Sequence, residues 1–184
     1  MGKITTISGP MYAGKTTRLI ELFRREQNKS KVIIKPKIDT RYSAEHVVSH
    51  NKEMIAAECI DSVEEFLQKT EKIKYLFIDE LQFFSIEIAK ALCDMASHGK
   101  QIFASGLNLD FRGNPFETVK FMIEHSDVVE MLQGECEKCN NASFYTFRIS
   151  RSDELILIGE KEDYQALCSV CFDKYRKIND QAII

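Results

Sequence analysis

Apolar residues along the chain alternate between two periods. Residues 3–8 (KITTIS) are β-branched and end at Gly9-Pro10, which predicts a strand running into a loop. From Lys15 to Asn28 the residues Leu19, Ile20, Leu22 and Phe23 keep helical spacing. KVIIK, 31–35, reads as a strand stopped by Pro36, and 36–50, with no clear period, as a long loop. A short strand is expected over 54–60. Ser62 and Glu65 form a capping box ahead of a short helix. KYLFID, 74–79, predicts a buried strand leading into two carboxylates. Ser85–His98 reads as a helix with Ser85 as N-cap and Gly99 past its end. QIFASG is a strand, followed by a loop over Leu107–Asn114. Pro115 suits the first turn of a helix running to about His125, and DVVEML reads as a final buried strand. Strands alternating with helices predict an α/β fold with a parallel sheet and crossover connections.

After Gln133-Gly134 the pattern changes to short alternating runs, SFYTFRIS and LILIG, between cysteine pairs. Such a segment buries little core alone and is expected to be a small zinc-stapled lobe. The expected division is 1–134, the α/β domain, and 135–184, the zinc-binding lobe. The 184 residues, 44% hydrophobic and 29% charged, have a globular composition. A net charge of −3 argues against tight nonspecific binding to nucleic acid, and no apolar run approaches the ~20 residues of a membrane span. MGKITTISGP lacks the apolar core of a signal peptide, so the cytoplasm is the expected compartment.

Three motifs carry chemistry. Gly9-Pro10-Met11-Tyr12-Ala13-Gly14-Lys15-Thr16 fits G-x-x-x-x-G-K-[ST], with a strand before it and a helix after. Its backbone N–H groups would cradle phosphate oxygens at a helix N-terminus, Lys15 would reach the β- and γ-phosphates, and the Thr16 hydroxyl would ligate Mg²⁺. Next, Tyr75–Ile78 feed Asp79-Glu80. Beside a phosphate loop, Asp79 would hold Mg²⁺ through water and Glu80 would face the attacking oxygen; alone, the pair is only a solvated strand end. Third, of six cysteines, Cys136, Cys139, Cys168 and Cys171 form two C-x-x-C pairs 28 residues apart. Four thiolates suit structural Zn²⁺, with a redox pair as the rival reading. Cys59 and Cys93 lie in apolar segments and read as small core residues. His98 and His125 read as helix-end residues.

These features occur together, and in this order, in the cellular-type thymidine kinases, which the sequence resembles almost end to end. The matching runs are GPMYAGKTT, DTRY at 39–42, IDELQFF at 78–84, GLNLDFRGNPF at 106–116 and both cysteine pairs. The residues alone give a phosphate-loop phosphotransferase with a zinc lobe; nucleoside specificity comes from the resemblance. Tyr12-Ala13 stands where many relatives have Phe-Ser, and Cys171 where some have His.

The resemblance implies transfer of the γ-phosphoryl of ATP, with Mg²⁺, to the 5′-hydroxyl of thymidine. It implies Glu80 as catalytic base, with Lys15 and Arg41 also catalytic. A carboxylate is a weak base for an alcohol, which a loose transition state tolerates because the proton leaves late. Thr17 and Asp39 join the ATP and Mg²⁺ site. Asp39 would orient the Arg41 loop, or the two form only a loop salt bridge. Phe83 and Phe111 would wall the base, with Met11 and Leu107 near its methyl group, and one of Phe83 and Phe84 would face the core instead. Thr146, Leu157, Ile158, Gly159 and Tyr164 match a lasso-like loop covering the base mainly with backbone groups. A homotetramer inhibited by thymidine triphosphate is also implied. The rivals are a kinase for another deoxynucleoside and a zinc-ribbon nucleic-acid ATPase. Glu135, Glu137, Asp153, Glu154, Glu160, Glu162 and Asp163 speak against the basic ribbon that the second would need.

Overall fold

The computed structural model describes residues 1–39, 46–48, 54–150 and 163–181. The chain opens with β1 (Ile4–Gly9), α1 (Lys15–Arg25) and β2 (Lys31–Pro36). The first helix stops three residues short of Asn28 because other partners take over. Lys31 Nζ donates to the carbonyls of Phe23 at 2.7 Å and Glu26 at 2.5 Å, closing the helix C-terminus. The Asn28 and Ser30 N–H groups turn to side chains, Glu26 Oε1 and Asn28 Oδ1.

The expected loop over 36–50 contains β3 (His46–Val48). The expected single strand over 54–60 is two, β4 (Met54–Ala56) and β5 (Glu58–Ile60), parted by Ala57. They serve different sheets. β4 pairs antiparallel with β3, Val47 opposite Ile55, whereas β5 runs parallel to β2. Three-residue strands carry too little alternation to announce this change of partner.

Next come α2 (Val63–Thr70) and β6 (Tyr75–Ile78), followed by a 3₁₀ turn at Leu81–Phe83. Ser62 caps α2 as expected, accepting from Glu65 N–H, but Glu65 reaches back to Asp61 N–H, one residue earlier than a strict capping box. Then follow α3 (Ile86–Ser97), β7 (Gln101–Leu107), α4 (Glu117–Glu124) and β8 (Val128–Met131). Pro115 is not in the helix: it bridges Leu109, and α4 starts after Phe116. The intervening loop closes on Asp110, whose carboxylate accepts from Arg112 N–H and Asn114 N–H at 2.8 Å.

Six strands form one parallel sheet in the order β5-β2-β6-β7-β1-β8. Its period-2 alternation sorts the core. Ile4, Ile34, Leu76, Ile78, Ile102 and Ala104 point toward α2, α3 and α4. Ile7, Ile33 and Phe77 point toward Leu19 and Ile20 of α1. Phe77 stacks on Phe103 at 4.7 Å and meets Phe23 edge-on at 5.1 Å. The last strand departs from expectation: β8 lies at the sheet edge, with Val128, Val129 and Met131 39–52% exposed. Apolar sequence does not fix a strand's place in the sheet. Cys59 and Cys93 are half-buried, and His98 and His125 cap α3 and α4 as expected.

Beyond β8, β9 (Gly134–Glu135) pairs with β10 (Ala142–Ser143), and β11 (Tyr145–Arg148) with β12 (Tyr164–Leu167), ahead of α5 (Ser169–Gln181). They enclose a separate small cluster of Cys136, Phe147, Leu167, Cys168 and Phe172, with Tyr145 stacked on Phe172 at 4.5 Å. No helix among the described residues is long and apolar enough to cross a membrane.

Candidate active site and four-thiol cluster

In a parallel sheet every strand delivers its carboxyl end to the same rim, and ligands bind there. β1 delivers the phosphate loop, β6 delivers Asp79-Glu80, and β7 lies between them. Gly9 has φ 145°, and a Cβ there would lie 2.3 Å from the Leu132 carbonyl oxygen, so the loop's entry requires glycine. Tyr12 (φ 63°) and Gly14 (φ 83°) complete the turn in the left-handed region. Helix α1 then begins, with Arg18 N–H bonded to Gly14 O at 2.9 Å and no acidic residue in its first turn to compete for an anion. Lys15 Nζ spans the loop to Pro10 O at 2.6 Å.

Thr16 and Asp79, 63 residues apart, meet as the motif reading expects. Thr16 Oγ1 donates toward both Asp79 carboxylate oxygens at 3.2 Å. Asp79 is 5% exposed and also accepts from Ser105 Oγ at 2.5 Å. Hydroxyl and carboxylate oxygens in contact are a donor set suited to a hard divalent cation. Ser105 escaped the sequence reading; its only signal was a serine near the end of an apolar strand. Asp39 is buried and pairs with Lys35 at 3.6 Å.

Glu80 follows with φ 53° and ψ 43°, a left-handed conformation rare outside glycine and characteristic of functional turns. Its carboxylate accepts from Gln82 Nε2, and Gln82 Oε1 accepts from Leu107 N–H at 3.0 Å. Phe84 is in the core, 7% exposed, and Phe83 is half-buried, which divides the adjacent pair as expected.

On the other side of the rim, Phe111 lies under the Arg148 guanidinium, 3.8 Å from ring centre to Cζ. Arg148 is 3% exposed and donates to Tyr164 Oη at 2.7 and 3.2 Å. A planar cation on an aromatic face fixes that ring's orientation. Arg148 was also missed, since a lone arginine in an alternating strand looks solvent-facing. Thr146, 2% exposed, accepts from Met11 N–H at 2.9 Å and so ties β11 to the phosphate loop. Asn108 Oδ1, in the loop after β7, is buried with no hydrogen-bond partner among the described residues. Arg41, Leu157, Ile158 and Gly159 lie outside the described residues.

The four paired cysteines converge, with every Sγ within 4.8 Å of the others. Cys139 lies 3.6 Å from Cys168 and 3.7 Å from Cys171. A tetrahedral ion with ~2.3 Å bonds sets its sulfurs about 3.8 Å apart, so the cluster has the size of a zinc tetrathiolate. Its charges do not settle alone. Burial raises the Cys136 thiol, but backbone N–H groups around it outweigh that and bring it down to about 6. Burial and the neighbouring sulfurs push Cys171 up to about 12. Ionising all four thiols at this distance takes a cation between them.

The comparisons with known proteins agree with this geometry. The family model described as thymidine kinase matches residues 2–172. The thymidine kinase of Bacteroides thetaiotaomicron is 36% identical over 184 residues, covering 99% of this chain and 92% of its own. That of Bacteroides fragilis is 34% identical over 175 residues, covering 94% and 88%. A match across nearly the whole chain, with a phosphate loop, an acidic strand end and a four-thiol cluster in order, is decisive: the chain belongs to the thymidine kinase family.

Proposed function

We propose that this chain is an ATP-dependent thymidine kinase of nucleotide salvage, transferring the γ-phosphoryl of MgATP to the 5′-hydroxyl of thymidine to give thymidine 5′-monophosphate. The observation that carries the reading is the convergence of Lys15, Thr16, Asp79 and Glu80 on one sheet rim. Within the loop from Gly9 to Thr17, backbone N–H groups other than those of Pro10, which has none, and Met11, which is bonded to Thr146, bind the phosphates, and Lys15 neutralises charge on the transferring group. Thr16 and Asp79 would hold Mg²⁺, which would supply positive charge to offset that of the phosphates. Glu80 takes the proton of the 5′-hydroxyl. Asp39, anchored by Lys35, orients the segment carrying Arg41, the cation for the transferring phosphoryl.

Met11, Phe83, Leu107 and Phe111 form the base pocket, and Thr146, Leu157, Ile158, Gly159 and Tyr164 belong to the segment that covers it. Cys136, Cys139, Cys168 and Cys171 would hold a structural zinc with no open position, clamping both ends of that segment. The lobe from 135 to 184 is then a base-covering unit on a phosphate-binding domain of 1–134. A cytoplasmic homotetramer under feedback by thymidine triphosphate completes the reading, cysteines that form no disulfide among the described residues fitting a reducing compartment.

The test is ADP release with thymidine, deoxyuridine and deoxycytidine at equal concentration. Thymidine should lead. Deoxyuridine, lacking one methyl, should lose about 1–3 kcal/mol of specificity, and deoxycytidine should fall on the order of 10⁴-fold because its N3 accepts where thymine's donates. Equal use of deoxycytidine and thymidine refutes the reading.

A further inference from the structure

We propose that Gln82 is the positioning residue for the Glu80 carboxylate, fixing it against the end of β7 so that it meets the substrate hydroxyl in one orientation. The proposal deepens the function given above and rests on Glu80 being the proton acceptor.

Gln82 is 7% exposed, and the two ends of its amide face different partners. Leu107 N–H can only donate, so the end facing it at 3.0 Å is the carbonyl oxygen. The amino end is thereby turned to Glu80, where Nε2 donates to Oε2. The flipped amide would set donor against donor at Leu107 and oxygen against carboxylate at Glu80. Orientation is therefore settled by an immovable backbone group, and the donor presented to Glu80 has a fixed place.

The Glu80 backbone is held as well. Asp79 N–H donates to Ile34 O at 2.8 Å, Phe83 N–H donates to Glu80 O at 3.0 Å, and the residue between is left-handed at φ 53°. That turn aims the side chain, but three torsions remain between Cα and the carboxylate. A buried donor at the far end removes their freedom. The slot for that donor exists because Gly106 has no side chain. A Cβ there would approach Gln82 Oε1 to 3.1 Å, Leu81 Cβ to 3.1 Å and Val119 Cγ2 to 2.9 Å. Since Leu107 is also expected to wall the base, one amide sets the distance between proton acceptor and nucleoside. Misplacement of a reacting group by about 1 Å can cost on the order of 10²-fold in rate.

The test uses Gln82→Glu and Gln82→Met in the full-length protein, each also combined with Glu80→Gln. Gln82→Glu keeps the acceptor for Leu107 N–H and loses the donor to Glu80; Gln82→Met loses both. Positioning predicts that kcat falls roughly 10–100-fold in both single variants, with KM for thymidine and ATP within about threefold. In the Glu80→Gln background either change should move kcat by less than about twofold, because no proton acceptor is left to position. If Gln82 merely anchors Leu107, Gln82→Glu stays near the parent rate and only Gln82→Met is impaired, which overturns the proposal. Losses that multiply on top of Glu80→Gln overturn it too, while leaving Glu80 as base. Near-normal kcat in Glu80→Gln alone overturns both that assignment and the role of Gln82.

Discussion

Ser105→Ala removes one oxygen and tests how the Asp79 carboxylate is held. Ser105 is fully buried and Asp79 is 5% exposed, so the bond between them is out of reach of solvent. The deleted oxygen leaves less than the ~30 Å³ that a water occupies, so no solvent molecule replaces the donor. A hydrogen bond to a charged group contributes about 1.5–3 kcal/mol. The two 3.2 Å approaches of Thr16 Oγ1 remain, so the larger penalty of an abandoned buried charge does not apply. For a chain of this length each kcal/mol moves Tm by about 2–4 °C, giving an expected drop of roughly 3–12 °C in nucleotide-free protein. The freed carboxylate should also raise the Mg²⁺ concentration needed for half-maximal ADP release at fixed ATP. Thermal melts and a Mg²⁺ titration of the parent and variant check both. A melting point within 1 °C of the parent, with unchanged Mg²⁺ dependence, would show that Ser105 is a bystander.

Arg148→Lys keeps the charge but gives up the planar stack on Phe111 and the paired bonds to Tyr164. Losing about 0.5–2 kcal/mol should raise KM for thymidine roughly 2–30-fold with ATP affinity little changed, as steady-state kinetics with each substrate varied would report. Stripping metal from the four-thiol cluster should abolish thymidine binding while ATP weakens less than tenfold. Parallel calorimetric titrations with elemental analysis for zinc check this, and intact thymidine affinity without metal would separate the cluster from the base site. Arg18 bonds to Glu130 at 2.7 and 3.0 Å and holds its carboxyl below the usual carboxylate range. That contribution is present above the unfolded value of about 4.3 and is lost as pH falls through the depressed folded value. Denaturant melts from pH 7 downward should show Glu130→Gln less stable than the parent at neutral pH, with the gap closing in acid.

What the sequence disclosed and what it withheld divide along one line. The phosphate loop and the cysteine pairs are local: their residues sit within a few positions of one another, and the flanking strand and helix show in the same window. Glu80 and Asp79 were legible because an apolar run delivers them. Ser105 was not, because its role comes from strand register. Ile78 lies opposite Ala104 in the β6–β7 ladder, so the next residue on each strand, Asp79 and Ser105, fall side by side. Gln82 depends on the same ladder, through Leu107. Arg148 depends on a loop that brings Phe111 across from another part of the chain. The exposure of β8 follows from strand order, to which a period-2 pattern is blind, and Pro115 was misplaced because a loop bridge accommodates its ring as readily as a helix turn does.

The bond from Met11 N–H to Thr146 Oγ1 joins positions 135 residues apart. During synthesis the phosphate loop leaves the ribosome ahead of the strands that flank it in the sheet, yet one of its amides waits for a hydroxyl encoded 135 codons later. At about 5–20 residues per second that interval is on the order of 10 s. The phosphate loop is thus made well before it is finished. A ribosome stalled before codon 146 holds a chain with most of its parallel sheet and an incomplete phosphate cradle.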